Sequence, residues 1–239
     1  MDKWYSASQE GTVLASKITL SRNLAGVPFP SRLSEEGRKS VCKKIFAALQ
    51  NSKYAGEFDM LEMTSVSSAE KLSMVQRGII SPDMAQSESY SCLLLSRDES
   101  ISIMLCEKEH IKITVMGTGS CLTELYKLAD KLDNVFIDSL KIAFDKRLGF
   151  LTANPALLGT GMTAALILKL PKLKSRGALG ALTAMVKKLG FGMKPLFDTS
   201  SDFYELENSI TLGITEQSAI DNLNAVCKQI VSKESMISD

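Results

Sequence analysis

The sequence is short of several residue types from which recognisable sites are built. It has a single histidine, His110, and a single tryptophan, Trp4. One histidine excludes a multi-histidine metal centre, and no Ser/His/Asp arrangement can be placed. The five cysteines, at 42, 92, 106, 121 and 227, are odd in number and show no CxxC or other metal-ligand spacing. That usage fits a reducing compartment, so a cytoplasmic location is expected. No unbroken apolar run exceeds the five residues of 164–168 (AALIL), against the roughly 20 that a membrane span needs. The opening Met1-Asp2-Lys3-Trp4-Tyr5 lacks the basic flank and apolar stretch of a secretory signal. An excess of either charge is missing too: 28 basic residues stand against 27 acidic, for a net of +1. Bulk charge therefore gives no footprint for nucleic acid or an anionic membrane, and neither is expected as a partner. Arginine itself is scarce, with 7 against 21 lysines.

What is present is enough apolar chain for a sizeable core: 45% hydrophobic and 23% charged over 239 residues. One domain over residues 1–239 is expected, although residues 1–85 are less periodic, which leaves open a lobe of their own. Residues 34–51 read as an amphipathic helix, with Ser34 as cap, two glutamates in the first turn, and Val41, Ile45, Ala48 and Leu49 on one face. Three apolar runs, 90–96, 100–106 and 110–116, are separated by turn-length charged triplets and predict an antiparallel meander. Residues 121–147 repeat apolar positions at helical period from Leu122 to Phe144 and predict one long helix. Residues 177–189 suggest another helix ended by Gly190-Phe191-Gly192. Residues 203–212 read as a strand, and a last helix from Thr215 should bury Ala219, Leu223, Val226 and Ile230. Strand meanders mixed with long helices, without βαβ alternation, predict an α+β fold in which helices cover an antiparallel sheet.

Single motifs carry little. Gly117-Thr118-Gly119 lacks the third glycine of a dinucleotide fingerprint and the Lys-Ser/Thr of a P-loop, so a strand-to-helix turn is expected. Gly159-Thr160-Gly161 is equally weak alone. His110 is expected at a strand edge, and the eleven methionines read as core filler.

Taken together and in order, several segments resemble the guanidino (phosphagen) kinase family, in particular its bacterial McsB-type protein-arginine kinase branch. They are Ala15-Ser16-Lys17-Ile18-Thr19-Leu20-Ser21-Arg22-Asn23-Leu24, Val27-Pro28-Phe29-Pro30, Gly78-Ile79-Ile80-Ser81-Pro82, and the stretch Glu107-Lys108-Glu109-His110-Ile111-Lys112. Gly149-Phe150-Leu151-Thr152, Pro155, Gly159-Thr160-Gly161, Leu170-Pro171 and Ile210-Thr211-Leu212-Gly213 complete the series. The resemblance implies a helix-covered antiparallel sheet and transfer of the γ-phosphoryl group of Mg-ATP to a guanidinium nitrogen. Such chemistry needs in-line positioning, cations over the triphosphate, and a carboxylate that orients and deprotonates the guanidinium. Arginine suits the triphosphate because its planar fork binds phosphate oxygens bidentately and keeps its charge.

The sequence departs from the family at these places. Two arginines of the first segment correspond to Lys17 and Thr19, and only the third survives, as Arg22. The catalytic glutamate falls on Lys108 and a nucleotide-binding arginine on Lys112. A cysteine that touches the guanidinium in the family is replaced by Asn154, which with Pro155 is also a common turn signal. Two further arginines fall on Thr163 and Lys194, and around residues 198–202 the chain is shorter than the family pattern. If residues 107–109 continue a strand, Glu107 and Glu109 face away from Lys108 and cannot replace the lost base; in a tight turn either could. Losing a positioned base costs roughly 10²–10⁴ in rate, and each lost charge-assisted phosphate contact about 1.5–3 kcal/mol.

The resemblance therefore implies a catalytically degenerate relative acting as a regulatory or scaffold subunit. No cofactor is expected, beyond weak residual docking of ATP, ADP or Mg-ATP at Lys17, Arg22, Lys112 and Lys194 in a pocket turned cationic. An active phosphotransferase using Glu107 or Glu109 is the enzymatic alternative, and a structural interaction protein without a ligand site the third. By resemblance, partners would be an active kinase paralogue, a McsA-like activator, or components of a Clp-type protease. The chain stops where the catalytic domain should end, so no C-terminal dimerisation domain is expected.

Overall fold

The computed structural model describes residues 11–196 and 200–237; residues 1–5, read above for a secretory signal, and residues 198–199 of the shortened segment lie outside them. The strands are β1 (Val13–Arg22), β2 (Phe58–Glu62), β3 (Cys92–Ser96), β4 (Ile101–Leu105), β5 (Ile111–Thr118), β6 (Phe144–Asp145), β7 (Gly149–Phe150), β8 (Met162–Lys169), β9 (Phe191–Pro195) and β10 (Phe203–Asn208). The helices are α1 (Glu35–Gln50), α2 (Ser68–Gln76), α3 (Pro82–Gln86), α4 (Leu122–Ser139), α5 (Pro171–Ser175), α6 (Leu179–Lys188) and α7 (Glu216–Met236). Eight strands form one sheet in the order β2-β3-β4-β5-β1-β8-β10-β9, every pairing antiparallel. The α+β architecture and the β3-β4-β5 meander are as expected. β1, from the weakly periodic N-terminal part, is a central strand paired with both β5 and β8.

Period-2 alternation gives this sheet two different faces. On one, Ile18, Leu20, Ile113, Val115, Leu166 and Leu168 join Leu125, Leu132 and Phe136 of α4 and Leu223 and Ile230 of α7 in the main core. Ser34 caps α1 by accepting from the Gly37 amide, and Thr215 caps α7 by accepting from that of Ser218. On the other face, α2 and α3 cover a smaller methionine-rich cluster with Met74, Met84, Leu93 and Met104. A third apolar group contains Ala15, Met116 and Ile167. The sheet between these two groups is polar.

The helix expected over 121–147 stops at Ser139, with Leu140 already extended. Tertiary hydrogen bonds take over the backbone there: the Ala25 amide donates to the Lys141 carbonyl, and the Ala143 amide to that of Asn23. Phe144, expected on the buried face of that helix, instead sits 58% exposed on the β6-β7 hairpin. Residues 203–212 are strand only to Asn208. Gly117-Thr118-Gly119 is a strand-to-helix turn between β5 and α4. No helix of the described residues is long and apolar enough to cross a membrane.

Candidate functional site: a groove on the polar face of the sheet

The polar face forms the floor of a groove of about 560 Å³. β1 contributes Lys17, Thr19 and Ser21, β5 Lys112 and Thr114, β8 Thr163, β9 Lys194, and β10 Glu205 and Glu207. Strand register sets Thr114, Thr19 and Thr163 side by side and Lys194 opposite Glu205. One wall is the segment with Asn154 and Leu157; the other is the α2-α3 connection with Gly78 and Ser81, together with Pro82 at the start of α3. Asn154 also works as a turn residue, its Oδ1 accepting from the Ala156 amide at the start of a 3₁₀ turn.

The fold thus brings together Lys17, Thr19, Lys112, Asn154, Thr163 and Lys194, residues far apart in the chain. Arg22 is not among them, because it follows the alternation of Ile18 and Leu20 onto the helix-covered face. It is 2% exposed, pairs with Asp133 of α4 at 2.7 Å, and donates to the Ser21 and Thr160 carbonyls. Its guanidinium lies 3.5 Å from the centre of the Phe150 ring. Burial pushes the Asp133 carboxyl up, and Arg22 opposes that shift. Gly161, at φ +61°, lets the backbone pass there: a Cβ would lie 2.6 Å from Arg22 Nη1 and 2.7 Å from the Ser21 carbonyl.

Lys108 does not line the groove either. It is 59% exposed and its Nζ lies 2.5 Å from Asp83. The cause is local. β4 ends at Leu105, Cys106 takes a positive φ of 55°, and its amide donates to the His110 carbonyl, so residues 106–110 form a turn rather than a continued strand. Strand alternation therefore does not apply to Glu107 and Glu109. Glu109 is buried and accepts from Asn23 Nδ2 and from the Ala153 and Asn154 amides. Glu107 accepts from Ser81 Oγ at 2.8 Å, while its Oε2, buried and without a hydrogen-bond partner, lies 3.6 Å from Lys112 Nζ. His110, expected at a strand edge, is fully buried. Its Nδ1 accepts from the Leu24 amide at 3.1 Å and its Nε2 lies 3.0 Å from the Pro28 carbonyl, the pattern of a neutral ring. Burial accordingly lowers its pKa.

The groove is not the cationic pocket the substitutions imply. Lys17 pairs with Glu205 at 2.7 Å, and Lys194 with Glu205 at 3.3 Å and Glu207 at 3.1 Å. With Lys112 near Glu107, each of the three groove lysines faces a carboxylate. Burial alone would raise the Glu205 carboxyl, but Lys17 and Lys194 hold it at about 2. Glu207 moves upward instead, through its own burial and the adjacent charge of Glu205. Among the described residues no group of three or more His, Cys, Asp or Glu could hold a metal ion.

A family model described as "ATP:guanido phosphotransferase, C-terminal catalytic domain" matches residues 40–237. The chain belongs to this family. Among curated relatives, the protein-arginine kinase of Caldanaerobacter subterraneus subsp. tengcongensis is 32% identical over 228 residues, 93% of this chain and 68% of the relative. That of Staphylococcus haemolyticus is 32% identical over 243 residues, covering 99% and 70%. The fold is similar to that of the duplicated taurocyamine kinase from Schistosoma mansoni with bound transition state analog components, at a TM-score of 0.83, 24% identity and 98% coverage. This chain spans 35% of that protein. Lombricine kinase gives a TM-score of 0.79 at 15% identity, over 95% of this chain and 67% of the other.

In this guanido phosphotransferase relative, the charged groove residues that the sequence reading missed are Glu205 and Glu207. The signal was available: two glutamates two positions apart, alternating with the apolar Tyr204 and Leu206, fall on one face of a strand. What that spacing did not reveal was which lysines they meet.

Proposed function

We propose that this family member is a catalytically degenerate, McsB-like protein that acts through binding, as a regulatory or scaffold subunit, rather than through phosphoryl transfer. The observation that carries this reading is the groove floor. Where the resemblance expects arginines, the floor presents two threonines, Thr19 and Thr163, and lysines already facing glutamates; where it expects a catalytic carboxylate, Lys108 points outward to Asp83. Threonine hydroxyls cannot neutralise a developing phosphoryl charge as a guanidinium does. The residues also fit Mg-ATP poorly as a substrate, because a triphosphate would compete with Glu205 and Glu207 for Lys17 and Lys194. ATP and ADP are thus weak ligands at best. A cytoplasmic location and partners such as an active kinase paralogue, a McsA-like activator or Clp-type protease components belong to the same reading.

Incubation with labelled Mg-ATP, free arginine and a denatured arginine-rich protein, followed by assay for acid-labile phosphoarginine, is expected to give no turnover. Robust turnover would overturn the proposal. A second reading, an active phosphotransferase with a relocated base, is favoured at one position only. Glu107 keeps one carboxylate oxygen without a hydrogen-bond partner, whereas Glu109 is committed to Asn23 and two amides. That reading requires Glu107→Gln to abolish a measurable activity.

A further inference from the structure

The groove holds anion-binding groups and, beside them, the carboxylates that occupy those groups. Lys17 of β1 pairs with Glu205, and Lys194 of β9 reaches both Glu205 and Glu207, which stand two residues apart on the same face of β10. β8, between β1 and β10, sets Ala165 and Ile167 beside them in register. A second feature points to a ligand: Ser21 is 1% exposed, lines the groove, and its Oγ has no hydrogen-bond partner. A buried hydroxyl left in that state is unfavourable unless something else satisfies it.

We propose that Glu205 and Glu207 are the specificity-determining residues of this groove: as built-in anions they hold Lys17 and Lys194 and exclude free polyanions, so that a phosphate- or sulfate-type ligand docks only when one carboxylate is neutralised. This inference rests on the reading of the groove as a nucleotide-type site that has lost turnover. Opposite charges in contact are exchanged for a ligand anion only if the ligand contacts exceed those given up, and an internal carboxylate has no entropy of association to lose. Neutralising the carboxylate removes the competitor and leaves the lysine in place. The charged groups facing the pair are Lys17 from β1, Lys194 from β9, and each glutamate toward the other. Acidification acts first on Glu207, whose carboxyl is shifted upward by burial and by Glu205, while the two lysines hold Glu205 charged.

The test is calorimetric titration of the full chain with inorganic tripolyphosphate, comparing the unmodified protein with Glu207→Gln and Glu205→Gln. Near neutral pH the unmodified protein should bind weakly, and each folded variant about tenfold or more tightly, the size of one recovered charge-assisted contact. Adding Lys194→Met to Glu207→Gln should cancel the gain. Because Glu205→Gln disturbs a buried network, the unmodified protein is also titrated with sulfate, whose charge does not change over mildly acidic pH. Its affinity should rise as pH falls, and should stay flat in Glu207→Gln. Equal binding by all folded variants, together with a pH-independent sulfate affinity, would overturn the inference. The phosphoarginine assay on the same samples keeps the two readings distinct: turnover by the unmodified protein sinks the degenerate-kinase reading, whereas absent turnover with unchanged anion binding sinks only this one.

Discussion

Ile18 and Thr19 are neighbours in β1 and belong to different worlds. Ile18 enters the helix-covered face among the apolar side chains of the main core, while Thr19 lies on the groove floor, its Oγ1 3.3 Å from that of Thr114. The same strands supply both faces. On the core face, nondirectional apolar burial holds the structure. On the groove face, particular pairs matter, and two of them, Lys17 with Glu205 and Thr19 with Thr114, join residues distant in sequence. Even Arg22 obeys the division: turned to the core face, it serves as a brace with Asp133 and leaves the groove to lysines and threonines.

The largest effects should come from the core face. Asp133→Ala leaves the buried Arg22 guanidinium without its carboxylate and should destabilise the fold by about 3–5 kcal/mol in urea unfolding. Replacing both partners, as in Arg22→Met with Asp133→Leu, should recover part of that loss; no recovery would mean that the pair is needed as a pair. Next in size, Ile18→Ala should cost about 2–5 kcal/mol, and Thr19→Ala, one position along, about 1 kcal/mol or less. Equal losses at 18 and 19 would erase the distinction between the faces.

The pH response sharpens the comparison further. Folded His110 has a pKa below its ordinary 6.5, so under that pH the unfolded chain takes up a proton that the folded ring refuses. Stability should fall as pH drops through about 6.5. Glu205, held at about 2, adds its own loss only below its ordinary 4.5. Urea midpoints followed from about pH 8 to about pH 5 should therefore decline relative to those of His110→Asn, which shares the opposite contributions of the upward-shifted Glu207 and Asp133 carboxyls. The smallest effect is expected at the position where the resemblance marks the largest chemical change. Lys108→Glu alters an exposed pair with Asp83, should shift stability by less than about 1 kcal/mol, and should restore no phosphoryl transfer, because residue 108 lies outside the groove. Turnover gained by this single change would show that the turn at 106–110 rearranges around a substrate.

Elements with a long one-sided pattern or a cap were legible: α1 behind Ser34, α7 behind Thr215, and the meander with its charged turns. β8 was not, since a continuous apolar run such as residues 164–168 fits a buried strand or a buried helix equally well. β1 was obscured because its groove face carries Lys17, Thr19 and Ser21, which break an apolar reading. α4 ran too long on paper because residues 141–143 are claimed by backbone hydrogen bonds with Asn23, which accepts, and Ala25, which donates, more than a hundred residues away. For the site, the resemblance chose positions that do gather in one groove, but it could not tell a groove lysine from an outward one. Lys108 was misplaced by a positive φ at Cys106, which no periodicity encodes.

By itself the sequence determined which chemistry is present at each position: threonines and lysines in place of arginines, one histidine, and an apolar period adequate for an antiparallel sheet under helices. Tertiary structure alone decided the electrical state of the groove. Lys17 and Glu205 are 188 residues apart, and they meet because β1, β8 and β10 pair in a particular register, where a shift of one residue would turn either side chain to the opposite face. Ion pairing falls steeply once side chains separate into water, so the charges that sum to near zero in the composition acquire meaning only when the sheet sets them within contact distance.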